Sequence, residues 1–499
     1  MNVFRKKSVE QTLAETGESG HALKRDLTWW DLAIMGVAVA VGAGIFSIGA
    51  QAAAFHAGPA VVLSFLIAGV VCGAAVMCYA EFASMIPVAG SAYTFTYTTV
   101  GEIVAWVIGW DLILEMLMAG SVVSKYWGVY LNQFFELIGW NINTNISIGS
   151  FDFDLAPIII VAFFTTLLVL GTKIGARVDG ALTVLKIAIV AFIVVVGFFY
   201  VKAENFTPFI PPSEPAASTD GSGLSAAMEQ PLWQWATGMS PSIYGVTGII
   251  SGAALVFFAF LGFDVVATAS EETINPKKNV PLGIGVGMGL IIVLYTLVAI
   301  VTTGMVSYKD LAKQKDPSLA VAFKMVGADW AAKIISLGIV IGMATVVMVL
   351  LLGLTRVIFA MSRDGLLPRG LSHTGKRGTP VRLQIIVGVV MALIAACCNV
   401  GILSDMVNIG TLSAFTLVAI SIPIMRKKRP DLERSFKIPG NPWVPILIAL
   451  ANLWLMVNLS VLTWIRFVVW LIVGFAIYFG YGYRHARLGT GELEVAKQE

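Results

Sequence analysis

Apolar residues along this chain come in long runs rather than in the strict alternation of a half-buried strand, and each run is close to the ~20 residues that cross a bilayer as a helix. Twelve are read, at 30–54, 59–84, 101–130, 154–171, 181–201, 248–271, 282–305, 333–361, 383–399, 404–425, 443–462 and 465–484. The pattern predicts an all-α membrane protein with twelve transmembrane helices. Two runs are interrupted. Gly42-Ala43-Gly44-Ile45-Phe46 lies within the first, and Phe258-Ala259-Phe260-Leu261-Gly262-Phe263-Asp264 within the sixth. Glycine costs a helix about 1 kcal/mol against alanine. In hydrocarbon, backbone groups freed by unwinding are tolerated only where they line a cavity or meet a ligand. Glycines so spaced also let helices pack closely, but a matched pair of breaks in two halves points to a midplane transport site.

Composition narrows the class further. The 499 residues are 57% hydrophobic and 13% charged, with mean hydropathy +0.84, against roughly 25% charged for soluble domains. Residues 1–28 are polar and carry no short apolar run before a small-residue cleavage site, which argues against a removable signal peptide. Lysine and arginine gather on alternate connections: Arg5 to Lys7, Lys24-Arg25, Lys173, Arg177, Lys277-Lys278, Arg356 to Arg382, Arg426 to Arg429, Arg434, Lys437, Arg484, Arg487 and Lys497. The other side holds chiefly Lys202, Arg466 and the mixed-charge loop 309–333. That asymmetry predicts a multi-pass protein of the cell membrane with both termini cytoplasmic. The net charge of +3 therefore describes orientation in the lipid bilayer and gives no reason to invoke nucleic acid. Cys72, Cys78, Cys397 and Cys398 fall in predicted spans, leaving no disulfide framework, no metal-ligand spacing and no external cysteine to link a partner subunit. No cofactor is indicated. The loop 204–248 is long and rich in proline; an external cover and plain disorder both fit it, and Trp233 and Trp235 are candidates for the membrane interface.

Few residues offer chemistry inside the spans. Lys186 lies in an otherwise apolar fifth run, where an ammonium is a natural place for a proton to bind and leave; the competing reading is a lysine that snorkels to the headgroups. Glu115 is the other ionisable group near a span centre, with Asp111 four residues earlier on the same helical face. Lys125 falls near the outer end, where snorkelling explains it. A half-helix beginning after Gly42 or Ala43 offers free N–H groups and a positive dipole end, which suits a carboxylate. One ending before Gly262 offers carbonyls, which suit an ammonium. An α-amino acid carries both groups at a fixed separation. Asp264 is placed to cap the half-helix that follows.

The motifs Gly42 to Phe46, Tyr79-Ala80-Glu81, Gly90-Ser91-Ala92-Tyr93, Gly109 to Glu115, Phe257 to Asp264, Glu271-Glu272 with Asn275-Pro276, Met361 to Pro368 and Asn408 to Thr411 together resemble the amino acid–polyamine–organocation superfamily. Within it they resemble the bacterial relatives of the cationic amino acid transporters, and the match spans all twelve runs. The resemblance implies a LeuT-like transport core over 29–425, in which spans one to five and six to ten are inverted repeats. Spans eleven and twelve, with the preceding basic loop, occupy 426–485, and a cytoplasmic tail 486–499.

It also implies roles. Ala43 and Gly44 would be donors to the substrate carboxylate, and the carbonyls of Ala40, Phe258, Ala259 and Leu261 acceptors for its amine, with Phe258 as an aromatic gate. Lys186 would stand where sodium-coupled relatives hold a cation, beside Ala38, Val41 and Thr345. In Leu350-Leu351 would lie the residue limiting substrate size, with Glu115 within reach. The chain departs from the family pattern at Ala43, Phe260 and Ala344, each of which lacks a frequent hydroxyl. The expectation is a proton-coupled permease importing small or branched neutral amino acids by alternating access. Exchange, transport of cationic or broad-range amino acids, and a non-transporting amino acid receptor are the alternatives. The short tails argue against a receptor. An enzyme is not expected, because the spans hold no nucleophile–base pair or metal cluster.

Overall fold

The computed structural model describes residues 5, 27–85, 91–140, 144–148, 151–170, 173–215, 228–240, 242–262, 266, 273–314, 316–373, 379–430, 434 and 436–490. Helices occupy every apolar run. The principal ones are α1 (Trp29–Ala40), α2 (Val61–Met85), α3 (Glu102–Leu137), α4 (Leu155–Leu170), α5 (Lys173–Phe198), α6 (Gly245–Val256), α7 (Pro276–Met305), α8 (Asp329–Arg363), α9 (Val381–Cys397), α10 (Val400–Lys428), α11 (Trp443–Val457) and α12 (Val461–Ile477). Among the described residues six helical stretches are long and apolar enough to cross a membrane, and six apolar helices are shorter. Several helices outrun their apolar segments: α3 continues to Leu137 and α8 starts at Asp329. Backbone hydrogen bonding continues into polar sequence, whereas apolarity marks only the part suited to hydrocarbon.

Local signals explain where α1 begins and stops. Thr28 and Asp31 form a reciprocal cap, with Thr28 N donating to Asp31 Oδ2 at 2.8 Å and Asp31 N to Thr28 Oγ1 at 3.4 Å, so two N-terminal donors are satisfied. The helix ends because Val41 is extended (φ −71°, ψ 91°) and Gly42 follows. The chain re-enters helix at Ala43 and runs through wide turns at Gly44–Ile48 and Ala53–Ala57.

In the packed core α3 lies along α8 and α10, while α7 lies along α1 and α2. Buried charges tie one end of the bundle. Arg426 grips Glu81 with two bonds, Nε to Oε1 at 2.8 Å and Nη2 to Oε2 at 2.6 Å, and Ile438 N donates to the same carboxylate at 2.9 Å. Arg5 pairs with Glu102 at 2.8 Å, and Tyr97 and Tyr478 donate to that carboxylate. Such two-pronged, multiply bonded carboxylates are the arrangement in which a buried ion pair holds its geometry.

The described parts of the loop 204–248 fit a cover. Glu214–Pro215 pairs with Ser242–Ile243, Tyr244 N donates to His56 O at 2.8 Å, and Leu232 N donates to Leu459 O at 3.0 Å. Trp233 Nε1 donates to Asn458 Oδ1 at 2.8 Å, which ties it to the α11–α12 turn. Trp235 is 54% exposed. Lys125 Nζ donates to Cys398 O at 2.6 Å and so caps the carbonyl end of α9.

Candidate functional site

The two breaks face each other. Gly44 is pressed so closely against Ala259 that a Cβ there would strike that residue's backbone, and a Cβ on Gly262 would strike Val39. At the second break α6 tightens into a single narrow turn, Phe257–Phe260, after which Leu261 is extended (φ −66°, ψ 152°) and Gly262 takes φ +98°. That last value lies where only glycine is comfortable. Phe263 to Asp264, and with them the expected helix cap, lie outside the described residues.

Between the breaks is a cavity of about 480 Å³ including its open mouth, lined by Val39, Ala40, Gly42, Ala43, Gly44, Glu115, Met116, Ala119, Val123, Phe258, Leu261, Gly262, Val346 and Leu350. Of the residues expected at the substrate, Ala40, Ala43, Gly44, Phe258, Leu261, Glu115 and Leu350 line it. Ala259 and Leu351 do not. Ala259 is turned into the contact with Gly44, and Leu351, at 2% exposure, belongs to the core. Neighbours on a helix point about 100° apart, so one of two adjacent leucines faces a given cavity. Asp111 and Glu115 part company as well. Glu115 reaches the cavity, while Asp111 Oδ2 accepts from Ser413 Oγ of α10 at 2.8 Å.

Lys186 sits midway along α5, 2% exposed, with its Nζ donating to Ala38 O at 2.9 Å. Its stem packs against Gly342 of α8. Thr345 gives its hydroxyl proton to Gly342 O at 3.0 Å, leaving oxygen lone pairs as its remaining hydrogen-bonding capacity. Val41, the third expected neighbour, is the extended residue at the end of α1. Snorkelling does not describe a lysine so placed.

Sequence reasoning missed two kinds of residue. Met116, Ala119, Val123 and Val346 form much of the apolar wall, and only the helical period from Glu115, at i+1, i+4 and i+8, hints at the first three. Tyr295 of α7 was also missed: its hydroxyl lies 2.6 Å from Ala40 O and 2.9 Å from Ala259 O, touching both breaks. Nothing in its flanking sequence marks it.

Two helix breaks opposed across a small cavity in an apolar bundle define a membrane transport protein. The chain belongs to the amino acid permease family, whose model matches residues 27–479, within the amino acid–polyamine–organocation superfamily. It is 40% identical to the branched-chain amino acid permease BcaP of Bacillus subtilis over 98% of this chain and 99% of that protein. It is 39% identical to the methylthioribose transporter of Bacillus subtilis over the same shares. With the vacuolar cationic amino acid transporter 2 of Arabidopsis thaliana it shares 36% identity over 86% of this chain and 64% of that protein. These are permeases and transporters, and the chain is accordingly a transport protein, not an enzyme.

Proposed function

We propose that this permease imports small or branched neutral amino acids by alternating access, driven by protons through Lys186. The observation that carries the reading is the opposition of the two breaks around one cavity. The half-helix restarting at Ala43 directs its first N–H groups, Ala43 and Gly44 among them, toward a carboxylate. The carbonyls of Ala40, Phe258 and Leu261 accept from the ammonium. Phe258 closes over the bound molecule. An apolar wall of Met116, Ala119, Val123, Val346 and Leu350 suits an aliphatic side chain and penalises a charged one, which would lose its hydration there. The full-length likeness to a branched-chain permease supports the same substrate class. In this reading α1–α5 and α6–α10 are inverted repeats forming the core, α11 and α12 stand outside it, and both termini are cytoplasmic.

Coupling rests on Lys186. Its ammonium on Ala38 O holds α1 to α5, and loss of its proton would turn that charge-assisted bond into a weaker neutral one. A second reading, transport of cationic amino acids, has its own observation: among the described residues, Glu115 is the one ionisable residue lining the cavity. Uptake of a panel of radiolabelled amino acids into proteoliposomes under an imposed proton gradient tests both. Accumulation of leucine, valine or alanine driven by the gradient is expected. Preferential uptake of arginine, abolished in Glu115→Gln, would replace the neutral assignment with the cationic one.

A further inference from the structure

Tyr295 has no role in the scheme above, yet its hydroxyl reaches both breaks. The residue is wholly buried, and its ring is held by Phe65 and Phe260, with centroids 5.9 and 5.3 Å away. A phenol has one proton to donate, so the hydroxyl serves two carbonyls with a single hydrogen. Ala40 ends α1 and Ala259 lies in the last turn of α6. Both carbonyls therefore belong to negative helix ends, which repel one another when brought together. The hydroxyl between them offsets that repulsion and sets their spacing.

Ala259 is turned out of the cavity, whereas Ala40 lines it beside Phe258 and Leu261. A carbonyl oxygen has two lone pairs. With one committed to Tyr295, the other on Ala40 is left for a ligand. Phe258 O likewise accepts from Leu261 N at 3.3 Å and retains a second lone pair.

We propose that Tyr295 is a positioning residue for the substrate ammonium: by bridging Ala40 and Ala259 it fixes the Ala40 carbonyl against the second break, so that one ammonium meets acceptors from both helices at once. The inference rests on the reading of the two breaks as an amino acid site. It assigns to α7 a share in recognising the amine without touching it.

The test is the preference for an amine. In proteoliposomes, inhibition of leucine uptake by unlabelled leucine is compared with inhibition by 2-hydroxy-4-methylpentanoate, which keeps the carboxylate and side chain but carries a hydroxyl in place of the ammonium. Tyr295→Phe keeps the ring and its aromatic contacts. It should reduce the leucine-to-hydroxy-acid preference about tenfold, the worth of one well-placed hydrogen bond to a charged group, with the hydroxy acid's own inhibition constant unchanged. A preference left at the wild-type value, or equal weakening of both compounds, would overturn the proposal. Should Tyr295→Phe fail to fold, 4-aminophenylalanine at position 295, which retains ring and donor, must preserve the preference within about threefold; its collapse overturns the proposal. Absence of any amine preference in the wild-type protein would instead refute the underlying site.

Discussion

At the first break the chain leaves one helix and starts another within two residues, Val41 and Gly42, so what it turns toward the cavity is the last residue of α1, Ala40, together with the start of the next helix. At the second, α6 narrows through Phe257–Phe260 and runs out at Leu261 and Gly262, so what it offers is the end of one. The same device, an interrupted span, gives different polarity on the two sides: N–H donors with one acceptor, Ala40 O, at the first break, and acceptors alone at the second. Opposed across one cavity, a donor end and an acceptor end match a zwitterion. A pair of identical ends would match only a simple anion or cation. The contrast extends to the walls. Near the breaks the contact of Gly44 is with the backbone of Ala259, while farther along α3 and α8 side chains face the cavity.

The largest effect is expected where the breaks touch. Gly44→Val would drive its side chain into Ala259, overpacking a contact between two backbones. It should lower substrate affinity by at least about a hundredfold, read as the concentration dependence of uptake by protein that remains monodisperse. Affinity within threefold of wild type would mean that the breaks need not approach for binding. Next comes coupling. Lys186→Ala removes the ammonium from Ala38 O and should abolish proton-driven accumulation of leucine while exchange of leucine across the membrane survives. Gradient-driven accumulation at the wild-type level in this variant would remove Lys186 from the mechanism. The smallest effect concerns the walls. Leu350→Ala should raise competition by bulkier neutral amino acids several-fold, whereas Leu351→Ala should leave selectivity alone and cost about 2–5 kcal/mol of stability as a core truncation. Reversed behaviour of the two leucines would show that the cavity-lining face of α8 has been misidentified.

Much of this architecture is written in the sequence as hydrophobicity. Long apolar runs become helices because no other element satisfies the backbone in hydrocarbon except a closed barrel, and the paired glycines mark the breaks for the same reason. Polar side chains were harder to read. Tyr295 looks like one more bulky residue in an apolar run, since its hydroxyl is identified by what lies across from it, on α1 and α6, rather than by neighbours in sequence. Lys125 shows no partner among its sequence neighbours, and the carbonyl it meets, Cys398 O at the end of α9, is 2.6 Å away. Leu350 and Leu351 are indistinguishable as letters and separate only through rotation about α8. In each case local composition predicts the element, and the partner comes from a distant part of the chain. Trp233 follows the same rule, held by Asn458 across the loop cover.

That the N–H groups of the first break bind the carboxylate, while Ala40 O and the carbonyls of the second break hold the ammonium, is tested most directly by two analogues of one substrate. Competition against leucine uptake in wild-type proteoliposomes is measured for leucine methyl ester, which lacks the negative charge, and for 2-hydroxy-4-methylpentanoate, which lacks the positive one. Each should bind at least about tenfold more weakly than leucine, because each forfeits charge-assisted bonds to one of the two sets of backbone groups, donors or acceptors, while keeping the same side chain. An ester that competes as well as leucine would contradict the assignment of the donors, and a hydroxy acid that does so the assignment of the carbonyl acceptors.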